Sequence, residues 1–289
     1  MEYEALCNQG LMNILITGHR GFIGSNLIKK LDNHKIIGVD LKDGNNILDS
    51  SFINALFEFY DFDVVIHLAA IAGVGYSIDH SEEVLKNNII GFDTLAKAAI
   101  KHNVKHFIYA SSSSVYGDDG TQKSPYAVSK MTNELQAAMY SNLSDMKFTG
   151  LRFFTVYGEG IRQDLAISKF IKAMRNDEPL TVYGDGTQAR DFTYVNDITE
   201  AIKLIVESDK DWKNETFDIG YGSNTSVNEL VEILKGIINP SFDKVIYENE
   251  KLYDVKETLA NPNKLNEWLG FKPRYSIRDG LREWLGHVY

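Results

Sequence analysis

Tyr126 and Lys130 stand four residues apart in Tyr126-Ala-Val-Ser-Lys130, shortly after a serine run, Tyr109-Ala-Ser-Ser-Ser-Ser-Val-Tyr-Gly117. On a helix, positions i and i+4 share one face a turn apart, so an ammonium would sit beside a phenol. A free tyrosine titrates near ~10, and lowering it by about 3 units takes roughly 4 kcal/mol of differential stabilisation. A neighbouring cation has the right sign for that, and the expectation is that Lys130 lowers Tyr126. The serines close a strand-like segment, Lys105 to Ala110, and place hydroxyls where a substrate hydroxyl could be held. Tyr-x-x-x-Lys alone occurs on many surface helices by chance. Its force here comes from what precedes it in the chain.

That is the run Ile14-Leu-Ile-Thr-Gly18-His-Arg-Gly21-Phe22-Ile23-Gly24-Ser-Asn-Leu27. An apolar strand leads into a glycine-rich turn and then a helix, an arrangement that binds the pyrophosphate of a dinucleotide. Gly18 permits the tight turn, Gly21 lets backbone approach the phosphates, and Gly24 allows close helix–strand packing. The next strand, Lys35 to Val39, ends in Asp40, where a carboxylate accepts from ribose hydroxyls. A carboxylate there repels a 2′-phosphate, so the cofactor reads as NAD rather than NADP, although Lys42 stands nearby. Arg20 could approach a phosphate, while His19 reads as solvent-facing.

The chain has 289 residues, 44% of them hydrophobic, enough for one large α/β domain with a smaller lobe. Net charge is −10 and no run of Lys and Arg stands out, which argues against a nucleic-acid partner. The single cysteine, Cys7, forms no internal disulfide, which suits a reducing, cytoplasmic setting. No apolar stretch reaches the ~18 residues of a membrane span, and Met1 to Gly10 lacks the pattern of a signal peptide. His67 reads as a packed histidine rather than a metal ligand, since no second ligand is suitably spaced. The tryptophans at 212, 268 and 284 read as packing residues.

Strands and helices alternate through the first half: strands at 12–16, 35–39, 64–67, 105–110 and 147–152, with helices at 21–31, 51–60, 82–102 and 125–141. That order predicts a parallel, doubly wound sheet with helices on both faces. Past Thr155 the regularity breaks. A helix at 166–175, a strand at 180–183, a loop over 184–191, a helix at 195–207 with Asn196 as its cap, a strand at 215–219 and a helix at 227–237 precede a polar tail with two further helical patches. The expected division is a Rossmann-type domain over 1–156, rejoined by 192–222, and a smaller α/β substrate lobe from 157–191 and 223–289.

With these residues assembled, the chain resembles the extended short-chain dehydrogenase/reductase family, and within it the nucleotide-sugar epimerases and dehydratases. The resemblance runs from Asn13 onward, through Thr17 to Gly24, His67-Leu-Ala-Ala70, Asn88, Ser111 to Gly117, Tyr126-x-x-x-Lys130, Leu151 to Gly158, Leu180 to Gly186 and Arg190 to Val195. It implies that Tyr126 is the general acid/base, Lys130 its ribose-binding partner and Ser112 the bridge to the sugar hydroxyl. NAD would meet Gly18, Gly21, Phe22, Ile23, Gly24, Asp40, Ser111 and, at the adenine, Asp49. Leu68, Ala69 and Ala70 would line the nicotinamide side, with Asn88 a positioning residue near the cofactor. A UDP-sugar would meet Ser113, Ser114, Thr155, Arg162, Tyr183, Arg190 and Lys256. The helices at 82–102 and 125–141 are the faces on which this family pairs subunits, which implies a homodimer.

Dehydratases of this family carry Asp and Glu after the Ser/Thr, to eliminate water across C5 and C6. Ser113 and Ser114 cannot act as carboxylates, whereas epimerisation needs one acid/base only. Phe153-Phe-Thr-Val-Tyr-Gly158 with Arg162-Gln-Asp-Leu-Ala166 is most similar to UDP-glucuronate 4-epimerases. There an arginine could pair with the sugar carboxylate; Arg162 reads equally as a surface or phosphate-binding arginine. UDP-glucose or UDP-N-acetylglucosamine 4-epimerisation, a reductase or decarboxylase of the same fold, and a non-catalytic dinucleotide-binding module are the alternatives. Three departures stand out: Gly75 and Lys256 replace arginines common in the family, and the link from Gly117 to Tyr126 is short. Asp118-Asp-Gly120 within it reads as a turn.

Overall fold

The computed structural model describes residues 10–118 and 120–286. Cys7, most of the N-terminal extension and Asp119 lie outside the described residues. Every strand in the first half is apolar on both faces, the pattern of a sheet covered on both sides. In chain order these are β1 (Asn13–Thr17), α1 (Phe22–Ile28), β2 (Lys35–Val39), α2 (Ser50–Phe59), β3 (Val64–His67), α3 (Val74–Asp79), α4 (Ser81–Leu85), α5 (Gly91–Lys101), β4 (His106–Ser112), α6 (Pro125–Leu143) and β5 (Lys147–Phe153). The second half contributes β6 (Thr155–Tyr157), α7 (Ala166–Asn176), β7 (Leu180–Tyr183), β8 (Ala189–Arg190), β9 (Phe192–Tyr194), α8 (Val195–Val206), β10 (Asn214–Ile219), β11 (Thr225–Ser226), α9 (Val227–Ile238), β12 (Val245–Glu248), α10 (Asn263–Leu269) and α11 (Ile277–Gly286).

Six strands form one parallel sheet in the order β10-β5-β4-β3-β1-β2. Chain order reverses between β1 and β3, the switch point at which open α/β sheets bind ligands beyond their strand C-termini. One face buries Ile14, Ile16, Ile66, Ile108 and Leu151 against Ile198, Ile202 and Ile205 of α8. The other buries Leu15, Val65, Phe107 and Phe148 against Phe57, Phe92 and Tyr140. A third core, around Tyr157, Phe170, Val182, Leu230 and Leu281, belongs to the second lobe.

Sequence periodicity missed several features. The helix expected over 82–102 is interrupted by a wide π-type turn at Lys86–Ile90. Asn196 does not cap α8: Tyr194 occupies that position and offers no side-chain bond, and Asn196 already lies inside the helix. The loop-like run after Ala70 contains α3, and β6, β9 and β12 are too short or too exposed to announce themselves. The tail is split, because Leu265, Leu269 and Phe271 pack in the core of the main sheet. Phe242, Val245 and α11 pack with the lobe. Trp212 stacks on Trp268 at 5.4 Å in that main core, while Trp284 packs against the lobe.

Candidate active site

Pro125 opens α6 with its fixed backbone angle, and Ser124 caps the helix by accepting from Ala127 N–H at 3.1 Å. The first turns of α6 therefore start in a defined register, with Tyr126 and Lys130 directed at the C-terminal end of β4. Lys130 is 2% exposed, and its Nζ donates to the Ala110 carbonyl at 2.7 Å. It lies 5.9 Å from the centre of the Tyr126 ring. Ser112, 7% exposed at the end of β4, is in hydrogen-bond contact with the Tyr126 hydroxyl and also donates to Ser114 Oγ at 3.1 Å. Tyrosine, lysine and serine thus converge at the C-terminal end of β4.

Their electrostatics differ from the expectation that Lys130 lowers Tyr126. Burial pushes the Tyr126 phenol above its ordinary value, and the Ser112 hydrogen bond and the positive charge of Arg162 oppose this rise. Lys130 is itself weakened, down to about 8, because its ammonium is stripped of water. The acidifying influences on the tyrosine are its hydroxyl neighbour and an arginine from the second lobe.

Behind these residues lies a network that sequence reading missed. Arg152 binds Glu134 through two nitrogens, at 2.9 and 2.7 Å. Glu134 also accepts from Ser111 Oγ at 2.5 Å, so the Ser111 hydroxyl supports α6. The third Arg152 nitrogen donates to the Tyr116 hydroxyl at 2.6 Å, which donates to Asp218 at 2.7 Å. Glu134 follows Lys130 by four residues and Tyr126 by eight, a helical-face spacing visible in the sequence. It ties α6 to β4, β5 and β10.

The glycine turn has the shape a dinucleotide needs. Gly18 adopts φ +74°, and a Cβ on it would meet Ala69 N at 2.7 Å; one on Gly24 would meet the Gly18 carbonyl oxygen at 2.3 Å. A Cβ on Gly21 would meet only the Gly18 oxygen, at 3.0 Å, so the other side of Gly21 is open for a ligand. Gly21 offers no side-chain cap to α1, which leaves first-turn N–H groups available to phosphate oxygens. Ile23 packs into the main core, and Phe22 against the core of the second lobe. Asp40, 9% exposed, accepts from Arg20 N at 3.0 Å and from Lys42 N at 2.9 Å. His19 does not face solvent as expected: its ring covers Gly38 and its Nε2 lies 3.3 Å from Asp43. Asp49 caps α2, accepting from Ser51 and Phe52 N–H at 3.0 Å each.

The loop beyond β3 is held by two devices. Leu68 N donates to the Thr17 carbonyl at 3.1 Å and Ala69 N to Thr17 Oγ1 at 3.3 Å, with partly buried Ala70 following. Asn88, 1% exposed, binds the backbone of Ile71 through both ends of its amide, at 2.9 and 3.1 Å, and donates to Ser129 Oγ at 3.0 Å. Asn88 is therefore a positioning residue that joins this loop to α6. Buried His67 bonds Thr17 Oγ1 at 2.7 Å, and burial together with Lys130 holds it down to about 3, so it stays neutral.

From the second lobe, Arg162 lies against Gly73, where a Cβ would come within 2.8 Å of its Nη2. Its fork grips Asp164 at 2.9 and 2.5 Å. Thr155 begins β6, and its N–H donates to the Asp191 carbonyl at 2.9 Å. Ser113 and Ser114 form a short 3₁₀ turn beside Ser112. Arg190 pairs with Asp254 at 2.6 Å, and Lys251 sits 3.8 Å above the Tyr183 ring. The backbone N–H of Lys256 donates to Asp118 at 2.9 Å, fastening the short connection to the second lobe. Tyr253, absent from the sequence reading, brings its hydroxyl to 3.1 Å from where a Gly75 Cβ would stand and takes up space an arginine there would need.

The family model for the NAD-dependent epimerase/dehydratase family matches residues 14–220. The chain belongs to this family. A relative with 35% identity over 89% of this chain and 80% of its own length is the UDP-glucuronate 4-epimerase of Thermodesulfobacterium geofontis. UDP-glucose 4-epimerase from Thermotoga maritima, solved with UDP-glucose, superposes with a TM-score of 0.90 at 30% identity, over 96% of this chain and 98% of that one. UDP-glucuronic acid 4-epimerase from Bacillus cereus, solved with UDP-glucuronic acid and NAD, gives a TM-score of 0.88 at 32% identity, over 96% and 100%. As a family member the enzyme uses NAD, and its glycine turn, Asp40 and buried Tyr126–Lys130 pair fit that group.

Proposed function

We propose that this family member is a UDP-sugar 4-epimerase whose substrate is UDP-glucuronate. The observation that carries the reading is the Tyr126 hydroxyl, placed between Ser112 and the charge of Arg162 with no carboxylate at 113 or 114. Bound NAD supplies a two-electron acceptor and donor that is regenerated within one turnover. In its phenolate form, which the Ser112 hydrogen bond and the Arg162 charge favour, Tyr126 takes the proton of the C4 hydroxyl, with Ser112 holding that oxygen, as C4 loses its hydrogen. After the keto-sugar has turned, the same phenol returns the proton while C4 is reduced on its other face. One acid/base therefore serves both halves, and the reaction is redox-neutral. Lys130, which the Ala110 carbonyl fixes, would hold the ribose hydroxyls.

Arg162 supports the glucuronate reading, since its planar fork matches a carboxylate in two parallel bonds. It already grips a carboxylate, Asp164, which is the geometry the sugar acid would reproduce. The same pair favours the second reading, a neutral hexose as in UDP-glucose or UDP-N-acetylglucosamine, because Asp164 leaves the arginine satisfied. Thr155, Ser113 and Ser114 would face the sugar, and Arg190, Lys256 and Tyr183 the nucleotide diphosphate. A homodimer is supported by an apolar row on the outer face of α6, with Val128 42%, Leu135 65% and Met139 44% exposed, beside Ile90 at 50%. No helix among the described residues is long and apolar enough to cross a membrane. A cytoplasmic setting rests on the single cysteine and on the nucleotide-sugar substrate.

The test is incubation with each of the three UDP-sugars and NMR of the products. C4 epimers should form from UDP-glucuronate without added dinucleotide. Tyr126→Phe should lose about 10²–10⁴-fold in kcat while still binding UDP. Arg162→Met should lose turnover of UDP-glucuronate by much more than that of UDP-glucose, whose smaller loss reports the charge that Arg162 lends to Tyr126. Stoichiometric build-up of NADH would refute the epimerase, and equal loss on both sugars would refute the carboxylate role.

A further inference from the structure

The adenosine end of the cofactor site holds two cations, Arg20 and Lys42, with His19 beside them. Arg20, Lys42 and His19 all stand where β2 ends, and an arginine fork beside an ammonium is a ready receptor for a phosphate. Asp40, which the sequence alone nominates to repel a 2′-phosphate, spends one oxygen on Arg20 N and the other on Lys42 N. Those bonds shape the turn and leave a lone pair on each oxygen for a ribose hydroxyl. They do nothing to occupy the arginine fork.

Asp43 does that. Gly44, with φ +80°, ends the short turn Leu41–Asp43 that Asp40 caps, and so fixes the turn that carries Asp43 back toward the glycine loop. One Asp43 oxygen pairs with Arg20 Nη1, and the other lies 3.3 Å from His19 Nε2. Lys42 Nζ is turned to the Arg20 carbonyl at 3.0 Å. The four formal charges, Asp40 and Asp43 against Arg20 and Lys42, cancel. An added 2′-phosphate brings about −1.5 to −2, and would enter a cluster in which Arg20 Nη1 is shared between Asp43 and the Lys42 carbonyl and whose two carboxylates repel it.

We propose that Asp43 is the residue that sets this enzyme's preference for the unphosphorylated dinucleotide, by holding Arg20 and His19 away from the position of a 2′-phosphate. Asp40 is then the ribose acceptor, and Asp43 the charge filter behind it. Removing the Asp43 charge leaves the cluster with one net positive charge and releases Arg20 Nη1 from its carboxylate. The inference rests on the dinucleotide site and is independent of the sugar.

The experiment is calorimetric titration of the full chain, freed of nucleotide, and of Asp43→Asn and Asp43→Ala. The ligands are NAD, NADP and adenosine 2′,5′-bisphosphate, and thermal melts verify that each variant is folded. Either substitution should lower the Kd for NADP and for the bisphosphate by about tenfold or more, the factor one charge-assisted hydrogen bond supplies. The Kd for NAD should change by less than about threefold, within what loss of a half-exposed ion pair perturbs. Adding Arg20→Ala to Asp43→Asn should abolish the gain. In the unaltered background, Lys42→Ala, which leaves the Asp43 pairs in place, should weaken NADP and spare NAD. Intact NAD binding with no gain for NADP in either Asp43 variant would overturn the proposal. So would loss of NAD in parallel, which would make Asp43 a ribose ligand. Failure of the unaltered chain to bind any of the three would overturn the dinucleotide reading along with it.

Discussion

Lys130→Met removes a cation that the fold buries with a carbonyl as its hydrogen-bond partner, and keeps a side chain of similar length. The ammonium is 2% exposed and titrates near 8 instead of its ordinary 10.5. At about 1.36 kcal/mol per unit, a charge so depressed costs the folded state about 3 kcal/mol at pH 7. The lost bond to Ala110 offsets about 1 kcal/mol. The variant should therefore be more stable than the parent at pH 7 by about 2 kcal/mol, while losing catalysis. The pH dependence carries the stricter prediction. Between pH 8 and 10.5 the unfolded lysine holds a proton that the folded one has shed, so parent stability rises with pH across that window. By pH 9.5 the penalty has shrunk to about 1.4 kcal/mol, so the variant's advantage over the parent should fall by about 2 kcal/mol between pH 7 and 9.5. Urea melts of both proteins, freed of nucleotide, at four pH values measure this directly. An advantage that does not change with pH, or a variant less stable at pH 7, would refute the claim that burial alone governs Lys130.

Glu134→Gln should cost about 3–5 kcal/mol, because Arg152 would keep its charge in a largely buried place with only Tyr116 to answer it. Combining it with Arg152→Met should cost less than the sum, measurable as a double-mutant cycle in urea. His106, 6% exposed and bonded to Thr149 Oγ1 at 2.8 Å, is held down to about 3 by burial and stays neutral in the fold. Stability should therefore fall as pH drops from 6.5 toward 3, and His106→Gln should flatten that loss in acid-denaturation curves. Gly24→Ala places a methyl 2.3 Å from the Gly18 oxygen, so the glycine turn must move; calorimetry should register at least about tenfold weaker NAD binding even if the chain folds.

The parallel sheet was legible because its strands are apolar runs and its helices carry 3.6-residue periodicity, signals local to the chain. Gly18, Gly24 and Asp40 were legible because they stand at the fixed spacings of a strand, glycine turn, helix and second strand, although Gly18 also answers to Ala69 and Asp40 to Arg20 across the fold. Pairings across long separations were not legible. The spacing of Glu134 behind Lys130 was open to inspection, yet its partner Arg152 comes from another strand, and Asp218 from one further still. Arg162 could be nominated from its neighbours, but that its charge reaches Tyr126 depends on how the second lobe folds over the first. Tyr126 itself was misjudged electrostatically. The lysine a turn away was visible in the sequence, whereas the water removed from both side chains was not.

The wide turn at Lys86–Ile90 has a consequence for how this chain tolerates deletion. It lodges one surplus residue in an otherwise continuous helix, and it brings Asn88 to face Ile71 on one side while its own carbonyl accepts from Asn133 on the other. Excising a residue anywhere in that stretch would restore ideal winding and raise helical propensity. It would also swing whatever lies upstream by ~100° about the axis. Asn88 would let go of the loop after β3, so a shorter helix, locally more regular, would unmoor the loop proposed to face the nicotinamide ring.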